Sequence, residues 1–102
     1  MNQTDRKEFV KAPAEKVSQV LVKVLADFGW QLVSGGDLSI TAELLVNDRT
    51  KGHNCFTAII TCIPISEGTE LLLSICGSGN WSTDFLASWI MTELRKHMSP
   101  AV

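Results

Sequence analysis

The fold of this 102-residue chain is decided by residues 13–36, PAEKVSQVLVKVLADFGWQLVSGG. Apolar side chains recur at helical spacing over Pro13–Phe28, which predicts an amphipathic helix with one buried face. Gly29 can adopt the left-handed conformation that often ends a helix, and Trp30–Val33 then has the pattern of a strand. The stretch therefore predicts a helix followed at once by a sheet. The apolar positions of the helix are Val17, Val20, Leu21, Val24 and Phe28.

The rest of the chain divides into further strand patterns and a second helix pattern. The clearest strand alternates apolar with polar residues over Leu38–Val46, which places one set of side chains on each face of a sheet. Ser82 is a favourable N-cap for a helix over Thr83–His97, whose last turn carries the basic residues that suit a helix C-terminus. The remaining strand patterns are Lys7–Ala12, Asn54–Ile63 and Glu70–Cys76.

The order of these patterns is β-α-β-β-β-β-α. Short turns join the later strands, so they should form an antiparallel meander. The predicted fold class is α+β, a two-layer sandwich in which two helices cover one face of a mainly antiparallel, four- to five-stranded sheet. We predict a single domain over residues 1–102, with flexible ends at 1–5 and 99–102. No pattern in the sequence indicates where the first strand docks.

Composition and charge exclude several classes of protein. An apolar share of 45% and a charged share of 20% are ordinary for a globular domain, so a disordered chain is excluded. The formal net charge is −2, and the basic residues are scattered from Arg6 to Lys96, whereas a duplex-binding protein usually presents a basic stripe. We therefore predict that nucleic acid is not a partner.

The N-terminal segment and the hydropathy bear on cellular location. Residues 1–8 are polar and lack the apolar run of an export signal. No stretch approaches the roughly 20 apolar residues that span a bilayer. These features predict a soluble cytoplasmic protein with no membrane partner. A chain from which a signal peptide had been cleaved would have the same features, and that alternative stays open.

The chemistry-bearing residues form no recognisable catalytic or metal-binding motif. Cys55, Cys62 and Cys76 lie in apolar strand patterns, where free cysteines of a reducing compartment are small buried residues. His53 lies two positions from Cys55, yet two ligands are too few for a structural zinc site, and a distant His97 or a carboxylate would have to complete it. We therefore predict no catalytic residues, no metal, no cofactor and no enzyme activity.

The strands carry more apolar side chains than one helix-covered face requires. Where alternate residues face inward, their neighbours project from the other side, which is normally polar in an antiparallel sheet. Our leading hypothesis is a non-enzymatic module for protein interaction or self-association, with a homodimer through this apolar sheet face as its simplest form. Alternatively, loops at the strand ends cover these residues. The candidate interaction residues are Leu45, Ile59, Ile63 and Leu72.

Three tryptophans support a second functional hypothesis. Trp30 begins a strand, Trp81 precedes the last helix, and Trp89 lies on the apolar stripe of that helix. Together they would line a small-molecule pocket between the sheet and the C-terminal helix, closed by the loop around Trp81. Alternatively, tryptophans at such positions are core residues with one edge of the indole ring exposed to solvent, and that alternative stays open.

Four local segments carry a resemblance to a group of known domains. They are Phe9–Val17, the Phe28-Gly29-Trp30 turn, Leu38–Ala42, and Leu73–Gly77 leading into Ser82–Asp84. With these motifs the chain resembles small, uncharacterised bacterial domains that have one strand, a helix, four strands and a closing helix. The resemblance implies the fold more than any function, and it carries over no functional residues.

Overall fold

The computed structural model describes residues 2–36, 38–48, 52–79 and 81–98, in which five strands and two helices follow the predicted β-α-β-β-β-β-α order. The helices are α1 (Ala14–Phe28) and α2 (Thr83–Met98). The strands are β1 (Asn2–Val10), β2 (Gln31–Gly35), β3 (Ser39–Asp48), β4 (Gly52–Ile65) and β5 (Gly68–Ser78). The C-terminal segment 99–102, for which we expect flexibility, lies outside the described residues.

The strands form one sheet in the order β1-β5-β4-β3-β2, and every neighbouring pair is antiparallel. β1 therefore docks beside β5 at one edge, while β2 forms the other edge. Both helices pack on the same face of the sheet and share one core with it. The predicted α+β two-layer architecture is confirmed. We call the helix-covered side of the sheet the inner face and the opposite side the outer face.

The core follows from the pleat of the strands and the periodicity of the helices. Alternate residues of the three central strands are buried on the inner face, against the apolar stripes of both helices. Burial of this kind contributes about 25 cal/mol per Å² of apolar surface, which makes the core the main stabilising contribution. The buried strand residues are Ile40, Ala42, Leu44, Phe56, Ala58, Ile60, Cys62, Leu71, Leu73 and Ile75.

β1 is longer than the apolar pattern predicts. It begins at Asn2 rather than Lys7, so residues 2–5, which we expect to be a flexible end, pair with β5 instead. Polar residues on its inner face hold it against α2: Thr4 and Thr83 share a hydrogen bond of 2.8 Å, and Arg95 donates to Glu8 at 2.9 Å. Because these inner positions are polar, the first part of β1 lacks the alternation of apolar and polar residues by which the other strands are predicted.

The helix ends confirm most of the predicted signals. Gly29 has a φ of 103°, the left-handed conformation that ends α1, and the Trp30 N–H donates to the Leu25 carbonyl at 2.9 Å. Ser82 caps α2, since its hydroxyl accepts from the Phe85 N–H at 3.3 Å. Pro13 stands before α1 in an extended conformation and provides no side-chain cap.

β4 does not end at Pro64 as predicted but continues to Ile65. The Cys62 N–H donates to the Leu38 carbonyl, toward β3. Pro64, two residues further on, directs its nitrogen to the same side of the strand, where β3 has not yet begun. The missing N–H of this proline therefore leaves no ladder hydrogen bond unmade.

β2 also differs from its predicted bounds. It covers Gln31–Gly35 rather than Trp30–Val33, with a shift of register between Leu32 and Ser34. Asp37, part of the predicted turn, lies outside the described residues. Among the described residues, neither helix is long and apolar enough to cross a membrane.

Candidate functional site

The outer face of the sheet is formed by the residues that alternate with the buried ones. Leu71 and Leu73 are buried on the inner face, which turns Leu72 to the outside. In the same way, buried Ala58 and Ile60 turn Ile59 outward on the neighbouring strand. Both α1 and α2 lie on the opposite side, and no element of the described chain covers this face.

The predicted interaction residues differ in how far they are exposed. The exposed fraction is 65% for Leu45, 46% for Ile59 and 41% for Leu72, while Ile63 is half-buried. Isolated apolar residues are common on protein surfaces. Three large apolar side chains exposed on one sheet face therefore indicate an interaction surface only if they lie close together.

The register shows which of these residues are neighbours. Ile59 pairs with Ser74 and Leu72 pairs with Thr61, so Ile59 and Leu72 are diagonal neighbours on adjacent strands. Ile63, two residues beyond Thr61, lies in the next row. The structure thus brings together Ile59, Ile63 and Leu72, which we call the apolar cluster.

Leu45 lies apart from the apolar cluster. It pairs with Cys55, four residues before Ile59 on β4, which corresponds to roughly 13 Å along the strand. Thr57 and its partner Glu43 stand between the two positions. The most exposed of the four predicted residues therefore belongs to the end of the sheet rather than to its centre.

Charges on the outer face flank β4, the middle strand of the sheet: Glu43 lies beside it on β3, and Glu70 lies beside Ile63 near the start of β5. On β4 the outward positions from Cys55 to Ile65 carry no charged residue, whereas the edge strand β1 presents Asp5 and Lys7. Lys7 Nζ lies 3.6 Å from Glu70 Oε1. An uncharged strip with polar flanks resembles the apolar core and polar rim of protein–protein interfaces.

A shallow groove of about 400 Å³ lies on the outer face between β4 and the edge strand β1. Its apolar wall includes Ile59 and Leu72, and the edge strand β1 forms its charged wall. The groove is open to solvent on one side, so it fits a protruding side chain better than an enclosed ligand. Its lining residues are Asp5, Arg6, Lys7, Ile59, Thr61, Leu72, Leu73 and Ser74.

The three tryptophans occupy different environments. Trp30 is buried in the core, and its indole Nε1–H has no hydrogen-bond partner in the described part of the chain. Trp81 and Trp89 are half-buried and both pack on Phe28, with ring centroids 6.1 Å and 4.0 Å away. Trp89 also lines a groove of about 200 Å³ that lies between α1 and α2 rather than between the sheet and α2.

Cys55 and Cys76 are diagonal neighbours on the outer face, whereas Cys62 lies on the inner face. Cys62 is buried, and burial raises the pKa of its thiol, while Cys55 is exposed on the outer face. The backbone of His53 lies in β4, but its side chain lies outside the described residues. His97 lies near the end of α2 beside the groove between the helices. Within the described ranges, no group of three His, Cys, Asp or Glu could hold a metal ion.

A cleft of about 720 Å³ lies at the end of the sheet where α1 begins, and the sequence patterns do not indicate it. The hydroxyl of buried Thr69 donates to the Ala12 carbonyl at 2.7 Å, which fixes the link between β1 and α1 against the β4–β5 turn. The cleft combines segments that are far apart in sequence, so no local motif marks it. Its lining residues are Lys11, Ala12, Pro13, Ala14, Glu15, Leu38, Pro64, Ile65, Ser66, Glu67 and Gly68.

Comparisons with known proteins add information about the fold. No family model and no curated protein matches the chain. Among solved structures, the vertebrate conserved region of human METTL16 is similar, with a TM-score of 0.59 and 14% identity over 96% of this chain and 100% of that one. At this identity the similarity shows a shared α+β fold and no shared function.

Two bacterial structures are more distant. Protein CV1439 from Chromobacterium violaceum has a TM-score of 0.49 and 14% identity, over 94% of each chain. The Zhui aromatase/cyclase from Streptomyces sp. R1128 has a TM-score of 0.41 and 16% identity, over 94% of this chain and 85% of that chain.

Proposed function

We propose that the protein is a non-enzymatic interaction domain that associates with a second copy of itself through the outer face of the sheet. The observation that carries this proposal is the uncharged outward side of the central strand β4, where Ile59 and Ile63 lie beside Leu72 of β5 and no helix covers them. Removing such side chains from water would contribute about 25 cal/mol per Å². The charged residues on the flanking strands could stay hydrated in the complex.

The size of the outer face suits this function. The five strands span roughly 24 Å at the usual spacing, and ten residues of strand extend about 33 Å. These dimensions give a face of roughly 800 Å², which is the share that each partner contributes to a stable interface of standard size. A two-fold arrangement needs only this one patch, because the same surface would serve on both copies.

The experiment is a measurement of molar mass by size-exclusion chromatography with light scattering over a range of protein concentrations. We expect the native chain to approach the mass of a dimer, and Ile59→Lys and Leu72→Lys to remain monomers that keep their circular dichroism. The matched control is Phe85→Lys, because Phe85 is a large apolar residue even more exposed than Ile59 and Leu72 but lies on α2, away from the sheet face. A native chain that stays monomeric at about 1 mM would contradict the proposal.

A second candidate function is the binding of a small molecule, and the cleft beside the β4–β5 turn favours it. Its volume of about 720 Å³ falls within the range of ligand pockets, roughly 300–1,000 Å³. Leu38 and Ile65 offer apolar contact, while Lys11 and Glu67 offer charge at the rim. This combination suits a ligand with an apolar body and one charged group.

The cleft can be tested by recording amide spectra of the labelled protein with a panel of small apolar acids and amines. We expect shifts of the Leu38, Ile65 and Gly68 amides, and their loss in Leu38→Glu. The control is Ile59→Glu on the outer face, which should leave the shifts unchanged. The absence of shifts at the cleft with every compound would eliminate this candidate.

A further inference from the structure

The edge strand β2 is exposed on all sides that face away from β3. All five of its residues, Gln31–Gly35, are exposed, and none is charged. Leu32 is 46% exposed and Val33 is 56% exposed. The opposite edge, β1, carries four consecutive charged residues over Asp5–Glu8. Natural sheets protect an edge with charges, proline, a covering element, a bulge or a short strand. β1 carries the charges, whereas in the described chain β2 has only its short length and the register shift between Leu32 and Ser34.

A groove lies beside α1 at the point where this edge strand ends. It has a volume of about 500 Å³ and is lined by one flank of α1 together with Gly36, the residue that follows β2. Leu32 is on the inner side of β2, because its partner on β3 is the buried Ala42, yet α1 leaves it half uncovered. We call this site, formed by β2 and the α1 flank, the edge groove. The residues of the flank are Glu15, Ser18, Gln19 and Val22.

We propose that the edge groove binds an extended peptide segment of another protein, which adds a sixth strand to the sheet beside β2. On each side of the register shift between Leu32 and Ser34, the residues of β2 that do not bond to β3 direct their N–H and carbonyl groups away from it, where no strand of the described chain receives them. An added strand would satisfy these groups. Its alternate side chains would then enter the space between β2 and α1.

The length of β2 favours a peptide over a second copy of the chain. Five residues extend roughly 17 Å, so the edge alone would bury much less than the roughly 1,000 Å² that a stable dimer needs. A short peptide needs no such area, since main-chain hydrogen bonds and one or two pockets hold it. This site is separate from the outer face, and the two proposals stand or fall independently.

The groove also indicates the composition of the peptide. Val22 is the apolar residue that lines the groove, and Leu32 is half exposed on the inner side of β2, which favours an apolar side chain at the inward-facing position of the peptide. Glu15 lines the groove near Gly36, and in the described chain it makes no ion pair. A basic side chain two or four positions away along the strand would complement it.

The test uses a phage-displayed library of random peptides of about twelve residues, selected on the full chain. We expect enriched peptides with alternating apolar residues and a lysine or arginine, whose binding protects the β2 amides from hydrogen exchange. Leu32→Lys and, independently, Val22→Lys should weaken binding by roughly tenfold or more.

Two controls make the outcome decisive. Phe9→Lys alters the opposite edge strand, and Ile59→Lys alters the outer face, so both should keep the peptide affinity of the native chain. Binding that persists in Ile59→Lys shows that the edge groove acts without self-association. The proposal is overturned if no peptide is enriched, or if the enriched peptides bind Leu32→Lys and Val22→Lys as tightly as the native chain.

Discussion

At the residue scale, the glycine at position 77 shows how closely β4 and β5 approach each other at one end of the sheet. It pairs with Phe56 across β4 and β5, and a Cβ on Gly77 would lie 2.3 Å from the Cys55 carbonyl oxygen and 2.6 Å from Phe56 Cδ1. Since one of these contacts is with backbone, the side chain of Phe56 cannot relieve it by moving. This position therefore requires glycine for steric reasons.

We expect Gly77→Ala to lower the free energy of unfolding by about 2 kcal/mol, the usual range for overpacking. Urea denaturation followed by tryptophan fluorescence measures the change. The matched control is Gly35→Ala, because a Cβ at Gly35 would meet nothing within 4 Å. Equal effects of the two substitutions would show that the close approach at Gly77 is relieved by a small shift of the strands.

The cysteines provide a second test at this scale. Burial raises the pKa of the Cys62 thiol, which keeps it protonated, whereas Cys55 is exposed on the outer face. We expect a thiol reagent at pH 8 to modify Cys55 rapidly in the native protein and Cys62 only after unfolding. Peptide mapping by mass spectrometry identifies the modified residue, with urea-unfolded protein as the control. Rapid native labelling of Cys62 would contradict its burial.

The raised pKa of Cys62 also has a consequence for stability. In the unfolded chain this thiol ionises near its usual pKa of about 8.5, whereas in the folded chain it stays protonated to higher pH. The unfolded state therefore holds fewer protons above that value, and the free energy of unfolding falls as pH rises further. Below the pKa of the unfolded chain, Cys62 is protonated in both states and adds no pH dependence to the free energy of unfolding. Urea denaturation of the native chain and Cys62→Ala between pH 7 and 10 would separate this contribution from others.

At the scale of elements, β1 is the strand that sequence patterns describe least well. α1 is found within one residue of its prediction, because its apolar positions recur at helical spacing and Gly29 ends it. β1 has no such apolar alternation. Its inner positions Thr4, Arg6 and Glu8 are polar, and their partners lie about 80 residues away on α2, so only the tertiary structure reveals the strand.

The hydrogen bond between Thr4 and Thr83 gives a prediction for this element. Thr83 is buried, so Thr4→Val would leave its hydroxyl without a partner and lower the free energy of unfolding by about 1–2 kcal/mol. Replacing both threonines by valine should restore most of this loss, because no polar group is then left unpaired. A double-mutant cycle in urea measures the coupling.

Hydrogen exchange provides the control for this prediction. Thr4→Val should speed the exchange of β1 amides and leave those of β4 unchanged. Glu8→Gln alters a more exposed contact, between Glu8 and Arg95, and should cost less than Thr4→Val. If the costs of Thr4→Val and Thr83→Val simply add in the double variant, the hydroxyl pair contributes nothing.

At the scale of the whole molecule, the candidate face could be predicted only in part. The alternation of apolar residues correctly turns Leu45, Ile59 and Leu72 outward, since a pleat has a period of two. Which of them touch depends on strand order and register, and these follow from tertiary packing. The edge groove and the cleft near the β4–β5 turn likewise arise between segments that are distant in sequence, so neither has a local signal.

The distance between Leu45 and the apolar cluster leads to a final prediction about the assembled protein. Leu45 is the most exposed of the four candidate residues, so exposure alone would rank it first. If self-association depends on the apolar cluster, however, Ile59→Lys should abolish the dimer, while Leu45→Lys, roughly 13 Å away along the strands, should weaken it by less than about tenfold. Sedimentation equilibrium of both variants measures the dissociation constants. A larger effect of Leu45→Lys than of Ile59→Lys would show that the interface lies at the end of the sheet where Leu45 pairs with Cys55. The apolar cluster would then lie outside the contact.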